Sequence, residues 1–121
     1  LCVLEELRSL AKVIGVYGNM DNHGIKCTLP EIQELEIETY KIGLTHGWGQ
    51  SQGIEKRILK KFKVCPDIIV YGHTHKAVYR KVGNLCYLNP GSPTDKVFAL
   101  KRSYAILTVG KDIKAEIISI E

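Results

Sequence analysis

The 121-residue chain spells no C-x-x-C pair, carries four prolines and a single tryptophan, and does not begin with methionine. Each absence excludes something. Without paired cysteines, Cys2, Cys27, Cys65 and Cys86 form neither a zinc ribbon nor a thioredoxin motif, and they read as reduced cytosolic thiols. Lys, Arg, Asp or Glu interrupts every apolar run before it could cross a bilayer, so no membrane partner is expected. No signal peptide stands at the start, which fits a cytoplasmic protein. The net charge is only +4, and its densest cluster (Lys56, Arg57, Lys60, Lys61, Lys63) shares a helical stretch with Glu55. A nucleic-acid groove calls for interleaved aromatics or a one-sided stripe, so this cluster reads as a solvated helix face. With 45% hydrophobic residues, disorder is excluded as well. What is present is ordinary globular composition at a length suited to one domain.

Along the chain, apolar spacing predicts a short amphipathic helix over 2–11 through Leu4, Leu7, Leu10 and Ala11. Residues 12–17 (KVIGVY) read as a strand buried on both faces. Residues 22–34 are polar and without period, and 34–38 and 39–45 alternate as two strands. Ser51 is a candidate cap for a helix whose Ile54, Ile58, Leu59 and Phe62 share one face, with Pro66 ending it. Residues 67–71 (DIIVY) form a further buried-type strand. A hairpin follows over 77–82 and 85–88 around Gly83-Asn84, and another over 104–109 and 113–120. This order predicts an α/β fold with at least one βαβ crossover.

The chemistry collects at strand ends. His46, the pair His73/His75, and Asn19 each follow a predicted strand and stand beside glycine, where ligands bind in layered α/β sheets. One such histidine alone reads as a hydrogen-bonded loop residue, but the set reads as a constellation. Imidazoles with an amide oxygen suit a transition metal, and in extended chain an H-x-H pair puts both rings on one side. His23, in a polar loop, reads as solvated. Trp48 is a candidate for stacking on substrate or for packing on the following helix. Asn89-Pro90-Gly91-Ser92 reads as a tight turn.

Four blocks in this order resemble the calcineurin-like metallophosphoesterase superfamily, in particular its small single-domain phosphodiesterases of bacteria and archaea. They are Gly18-Asn19-Met20-Asp21, Thr45-His46-Gly47, Gly72-His73-Thr74-His75 and Leu88-Asn89-Pro90-Gly91-Ser92. The resemblance implies a two-sheet β-sandwich flanked by helices that holds two divalent metal ions, manganese ahead of nickel, zinc or iron. It implies Asn19, His46 and His73 on one metal and His75 on the other, with Asp21 a candidate to orient that ligand set. Gly47 and Trp48 become candidate substrate contacts. The expected reaction is hydrolysis of a small phosphate ester or phosphodiester by a hydroxide that the metals activate. Two cations about 3.5–4 Å apart clamp attacking and leaving oxygens in such sites.

The departures are as informative. The family's opening D-x-H and G-D blocks, with their carboxylates, are absent. All four matched ligands are neutral, and Asp67, Asp95 and Asp112 stand in the wrong places to substitute. Met20 stands where many family phosphatases carry a histidine, which the small phosphodiesterases also lack, and Trp48 stands where some relatives have another histidine. Residues 1–121 therefore read as the C-terminal part of a single domain, inactive alone and completed by upstream residues. Left to itself, it offers at most a one-metal site. The alternative is a catalytically inactive scaffold resembling the retromer subunit of this fold, which has aspartate where Asn19 stands. A homo-oligomer is compatible with either.

Overall fold

A three-residue strand, β3 (Ile68–Val70), organises the molecule, because its side chains face two different layers. Ile69 points to one face of the sheet, and Ile68 and Val70 to the other. That two-sided burial explains the unbroken apolar run that predicted it. The computed structural model describes residues 2–18, 29–94 and 102–120. Around β3 lie β1 (Ile32–Ile37), β2 (Tyr40–Thr45), β4 (Val78–Val82) and β5 (Leu85–Asn89), in spatial order β1-β2-β3-β5-β4. β2, β3 and β5 run parallel, while β1 and β4 close the edges antiparallel. A second sheet is the hairpin β6 (Arg102–Val109) and β7 (Ile113–Ile120).

Helix α2 (Ile54–Leu59) crosses between β2 and β3 and covers one face of the larger sheet. Its Ile54 and Ile58, with Phe62 just beyond it, pack on Ile69, Tyr71, Leu85 and Tyr87. On the opposite face Ile42, Ile68 and Leu88 meet Ala105, Leu107 and Val109 of β6 and Ile113, Ala115 and Ile117 of β7. The outward residues of β6, Tyr104, Ile106 and Thr108, alternate with these and are exposed. Helix, sheet and second sheet thus form the layers expected of a two-sheet sandwich flanked by helices. Ile58, Ile68, Ile69 and Leu88 are fully buried, each worth about 1.5–3 kcal/mol of transfer free energy.

Four expectations need correction. Residues 12–17 are irregular rather than a strand, and Ile14 is exposed. Among the described residues no strand ladder includes the segment; Tyr17 N–H donates to Pro30 O, and Gln33 Nε2 donates to Gly15 O. Helix α1 (Cys2–Leu10) forms, but of Leu4, Leu7 and Leu10 just Leu4 is buried, while Leu7 and Leu10 are 48% and 78% exposed. The residue preceding α2 is Gly53 in the left-handed region, with no side-chain cap; Ser51 contributes only its carbonyl, to the Ile54 N–H. The helix stops at Leu59, well short of Pro66. The strands and hairpins otherwise fall within a few residues of their expected places. Among the described residues, no helix is long and apolar enough to cross a membrane.

Beneath α2, Tyr71 and Tyr87 meet edge to face at 6.4 Å, and Tyr71 Oη donates to Glu55 Oε2 at 2.9 Å. Burial, then the neighbouring phenol, pushes the Tyr71 hydroxyl above its usual pKa of 10; burial, then Cys65, raises that of Tyr87. The folded state thus keeps both phenolic protons at pH values where the unfolded chain has released them. Stability is therefore full below about pH 10 and falls as pH rises through the raised values. Thermal melts between about pH 8 and 11 are expected to show this decline, and a Tyr71→Phe variant to flatten it. An equal slope in both proteins would contradict it.

Candidate functional site

Because β2, β3 and β5 are parallel, their C-terminal ends share one edge of the sheet. Thr45 ends β2, and His46 follows directly. Val70 ends β3, followed by Tyr71, Gly72 and His73, and β5 ends in Asn89. The sheet thereby gathers residues up to 44 positions apart in sequence, Thr45 to Asn89, onto one rim. The strand-end pattern anticipated this for His46 and His73, whereas the segment before Asn19 is no strand and Asn19 lies outside the described residues.

The two rims nearest the centre are stitched together. Gly72 N–H donates to His46 O at 3.0 Å, and the rings of His46 and His73 meet at 5.4 Å with an interplanar angle of 79°. The backbone at Gly18 lies against the His46 ring; a Cβ there would fall 2.9 Å from two ring atoms, so only glycine permits the approach. His73 Nε2 stands 2.8 Å from Gly49 O. A carbonyl only accepts, so Nε2 carries the proton and Nδ1 keeps its lone pair for a ligand.

His73 and His75 both adopt left-handed backbone, φ 71° and 62°. This corrects the expectation of an extended H-x-H segment. For an L-residue that region costs about 1–2 kcal/mol, and such strain collects at functional loops because surrounding structure imposes it. Here the imposing residue is Asn89. It is fully buried, and its Nδ2 donates to Thr74 Oγ1 at 2.9 Å and Gly72 O at 3.3 Å. Its Oδ1 accepts from Gly91 N–H at 3.0 Å. Thr74 N–H donates to Gly72 O, closing the loop on itself at 2.9 Å. The turn is anchored below by Ser103 of β6, whose Oγ donates to Pro90 O at 2.8 Å. The segment read from sequence as a tight turn is also a clamp on the histidine loop. The only sequence signal for this was an amide side chain at a strand end.

Beside His46 opens a cavity of about 280 Å³ lined by Tyr17, Glu31, Thr45, His46, Gly47, Trp48 and Lys61. Trp48 packs against the core that α2 covers, as one of its two readings had it, and it also lines this cavity. Lys61 Nζ lies 5.1 Å from the Trp48 ring centre and 3.2 Å from Glu31 Oε1. His75 is half-buried on the same loop as His73. Asn19, Met20, Asp21, His23 and Asp95 lie outside the described residues. Among the described residues, no three His, Cys, Asp or Glu side chains converge to hold a metal ion. The donor chemistry of the His46–His73 pair nevertheless fits one: two neighbouring imidazoles, one with its tautomer fixed and a ring nitrogen left for coordination. They supply part of a ligand set, and among the described residues no carboxylate completes it.

Comparison with known proteins bears on this rim. The model of the calcineurin-like phosphoesterase superfamily domain matches residues 1–112. A probable metallophosphoesterase of Methanothermobacter thermautotrophicus is 35% identical over 118 residues, covering 96% of this chain and 67% of the relative. A phosphodiesterase of Methanocaldococcus jannaschii is 35% identical over 105 residues, covering 75% of this chain and 60% of the relative. Among solved structures, Vps29 of Entamoeba histolytica complexed with zinc is 29% identical with a TM-score of 0.64, over 96% of this chain and 74% of that one. The chain thus spans about 60–67% of the length of the curated relatives it matches. Parallel strands that end in histidine loops, the clamp beneath them and the match over nearly the whole sequence lead to one conclusion: the chain belongs to the calcineurin-like phosphoesterase superfamily.

Proposed function

We propose that this chain contributes the histidine side of a metal-dependent phosphoesterase acting on phosphodiesters. The observation that carries the reading is His73: strained, with Nε2 committed to Gly49 O and its ring against His46. The phosphodiesterase among its relatives supports the diester preference. In this reading Asn19, His46 and His73 hold one divalent cation and His75 a second, with manganese the first choice. Such cations polarise a phosphoryl oxygen and lower the pKa of water toward about 7.

The chain's own residues orient and shape. Gly49 O sets which nitrogen His73 presents. Gly18 and Gly72 keep the backbone slim around His46, and Asp21 is assigned to orienting ligands. Gly47 and Trp48 border the recess beside His46, where a substrate's ester group would rest, and Lys61 brings a positive charge to its wall. The missing carboxylates are assigned to sequence outside this chain, so residues 1–121 alone are proposed to be inactive. Cys65 and Cys86 are free thiols, which supports a cytoplasmic location.

The test is hydrolysis of bis(p-nitrophenyl) phosphate by the full-length protein with added manganese. Metal-dependent turnover is expected. The second reading, a scaffold of the same fold, draws support from the likeness to Vps29. Absence of both turnover and metal uptake in the full-length protein would favour it.

A further inference from the structure

Arg57 was read from sequence as one charge of a solvated cluster, but in the fold its guanidinium is committed to backbone carbonyls. From α2 it reaches back over the loop that follows His46. Nε and Nη2 donate to Trp48 O at 3.2 and 3.0 Å, Nη1 donates to Gln52 O at 2.9 Å, and Nη2 also donates to Gln50 O. Three carbonyls thus converge on one cation. Without a planar, multi-donor group between them, their dipoles would repel and the loop would splay toward solvent. The loop is shaped around the guanidinium as well. Gly49 has φ 79°, and a Cβ there would fall 3.2 Å from Arg57 Nη2.

The carbonyl of Gly49 lies between those of Trp48 and Gln50 in sequence, yet it bonds to His73 instead of Arg57. With the two flanking peptides held, the one between them keeps only a rotation about the line joining its two Cα atoms, which confines Gly49 O to a narrow arc on which it meets His73 Nε2. We infer that Arg57 is a positioning residue: by tying the carbonyls of Trp48, Gln50 and Gln52, it aims Gly49 O at His73 Nε2 and so sets which ring nitrogen His73 offers to a metal. The inference about metal rests on the proposed function, whereas the inference about the tautomer does not.

The test separates them. Long-range ¹H–¹⁵N correlation spectra of the 121-residue chain at about pH 8 report the His73 tautomer directly. The wild type is expected to show protonated Nε2 and bare Nδ1, and Arg57→Met to show shifts averaged between the two tautomers. Zinc affinity by calorimetry is expected to fall about tenfold in Arg57→Met, the size of effect that outer hydrogen-bond partners of ligating histidines exert. Arg57→Lys keeps the charge without the fork and is expected to lie between the two proteins in both readouts. A merely structural arginine would lower the melting temperature and leave the His73 tautomer fixed, and that outcome overturns the proposal. If Arg57→Met does not fold, Arg57→Lys decides on the same criterion. Averaged His73 shifts in Arg57→Met, together with no metal uptake by the full-length protein, would keep the positioning role and sink the metallophosphoesterase reading.

Discussion

An Asn89→Leu variant is expected to lose about 3–5 kcal/mol of stability and to melt about 10–20 °C lower than the parent. Leucine has similar bulk, so the loss is one of hydrogen bonds and not of packing. Asn89 is fully buried, and its amide serves Gly72 O, Thr74 Oγ1 and Gly91 N–H together. Apolar replacement removes all three bonds at about 0.5–1.5 kcal/mol each, and it takes from Gly91 N–H its acceptor at about 1–3 kcal/mol, while Gly72 O keeps the Thr74 N–H and Thr74 Oγ1 that of Lys76. Asn89→Asp tests the donor side alone. Its carboxylate still accepts from Gly91 N–H but faces the carbonyl of Gly72, so the folded state holds the acid proton more tightly than the unfolded chain does. That variant is therefore expected to gain stability as pH falls and to lose it as pH rises through the elevated carboxyl pKa. Urea melts at two pH values measure this. An Asn89→Leu protein melting within about 2 °C of the parent would show that the histidine loop does not depend on the clamp.

His73→Ala is expected to reduce metal-dependent phosphodiester hydrolysis by the full-length protein about 100-fold or more. Losing an outer partner of a ligating histidine already costs about 10–100-fold, and losing the ligand costs more. The fold is expected to survive, because His73 is a half-buried loop residue outside both apolar clusters. Its left-handed backbone adds a sharper expectation. Alanine inherits the steric cost at φ 71°, while glycine does not. His73→Gly should therefore be more stable than His73→Ala by about 1 kcal/mol while equally inactive. That pairing separates strain held for function from a residue that merely fits its loop. Activity surviving in either variant would remove His73 from the metal site.

Much of the architecture was legible beforehand because it depends on local periodicity. The alternation in LCYLN, RSYAILTV and IKAEIISI tells which side chains face a core, and the spacing of Ile54, Ile58 and Phe62 marks the covering helix. The strand ends at Thr45 and Val70 located two histidine loops for the same reason. Periodicity misled where burial depends on a neighbour. KVIGVY has strand composition, but a strand exists only where another backbone completes its ladder, and among the described residues no ladder includes 12–17.

The sequence by itself therefore determined the layers, the positions of His46, His73 and His75 at loops after strands, and the family whose blocks they carry. Only the tertiary structure decided what those loops do. His73 is left-handed, its Nε2 is spoken for by a carbonyl 24 residues away, and Asn89 grips a loop 15 to 17 residues upstream. Arg57, one lysine-like charge among five in the linear text, organises the loop that supplies that carbonyl. The physical reason is the range of the interactions. Hydrophobic period repeats every two or four residues and can be read locally. The partner that satisfies a buried amide or fixes an imidazole tautomer is chosen only once parallel strands have brought their ends to one edge.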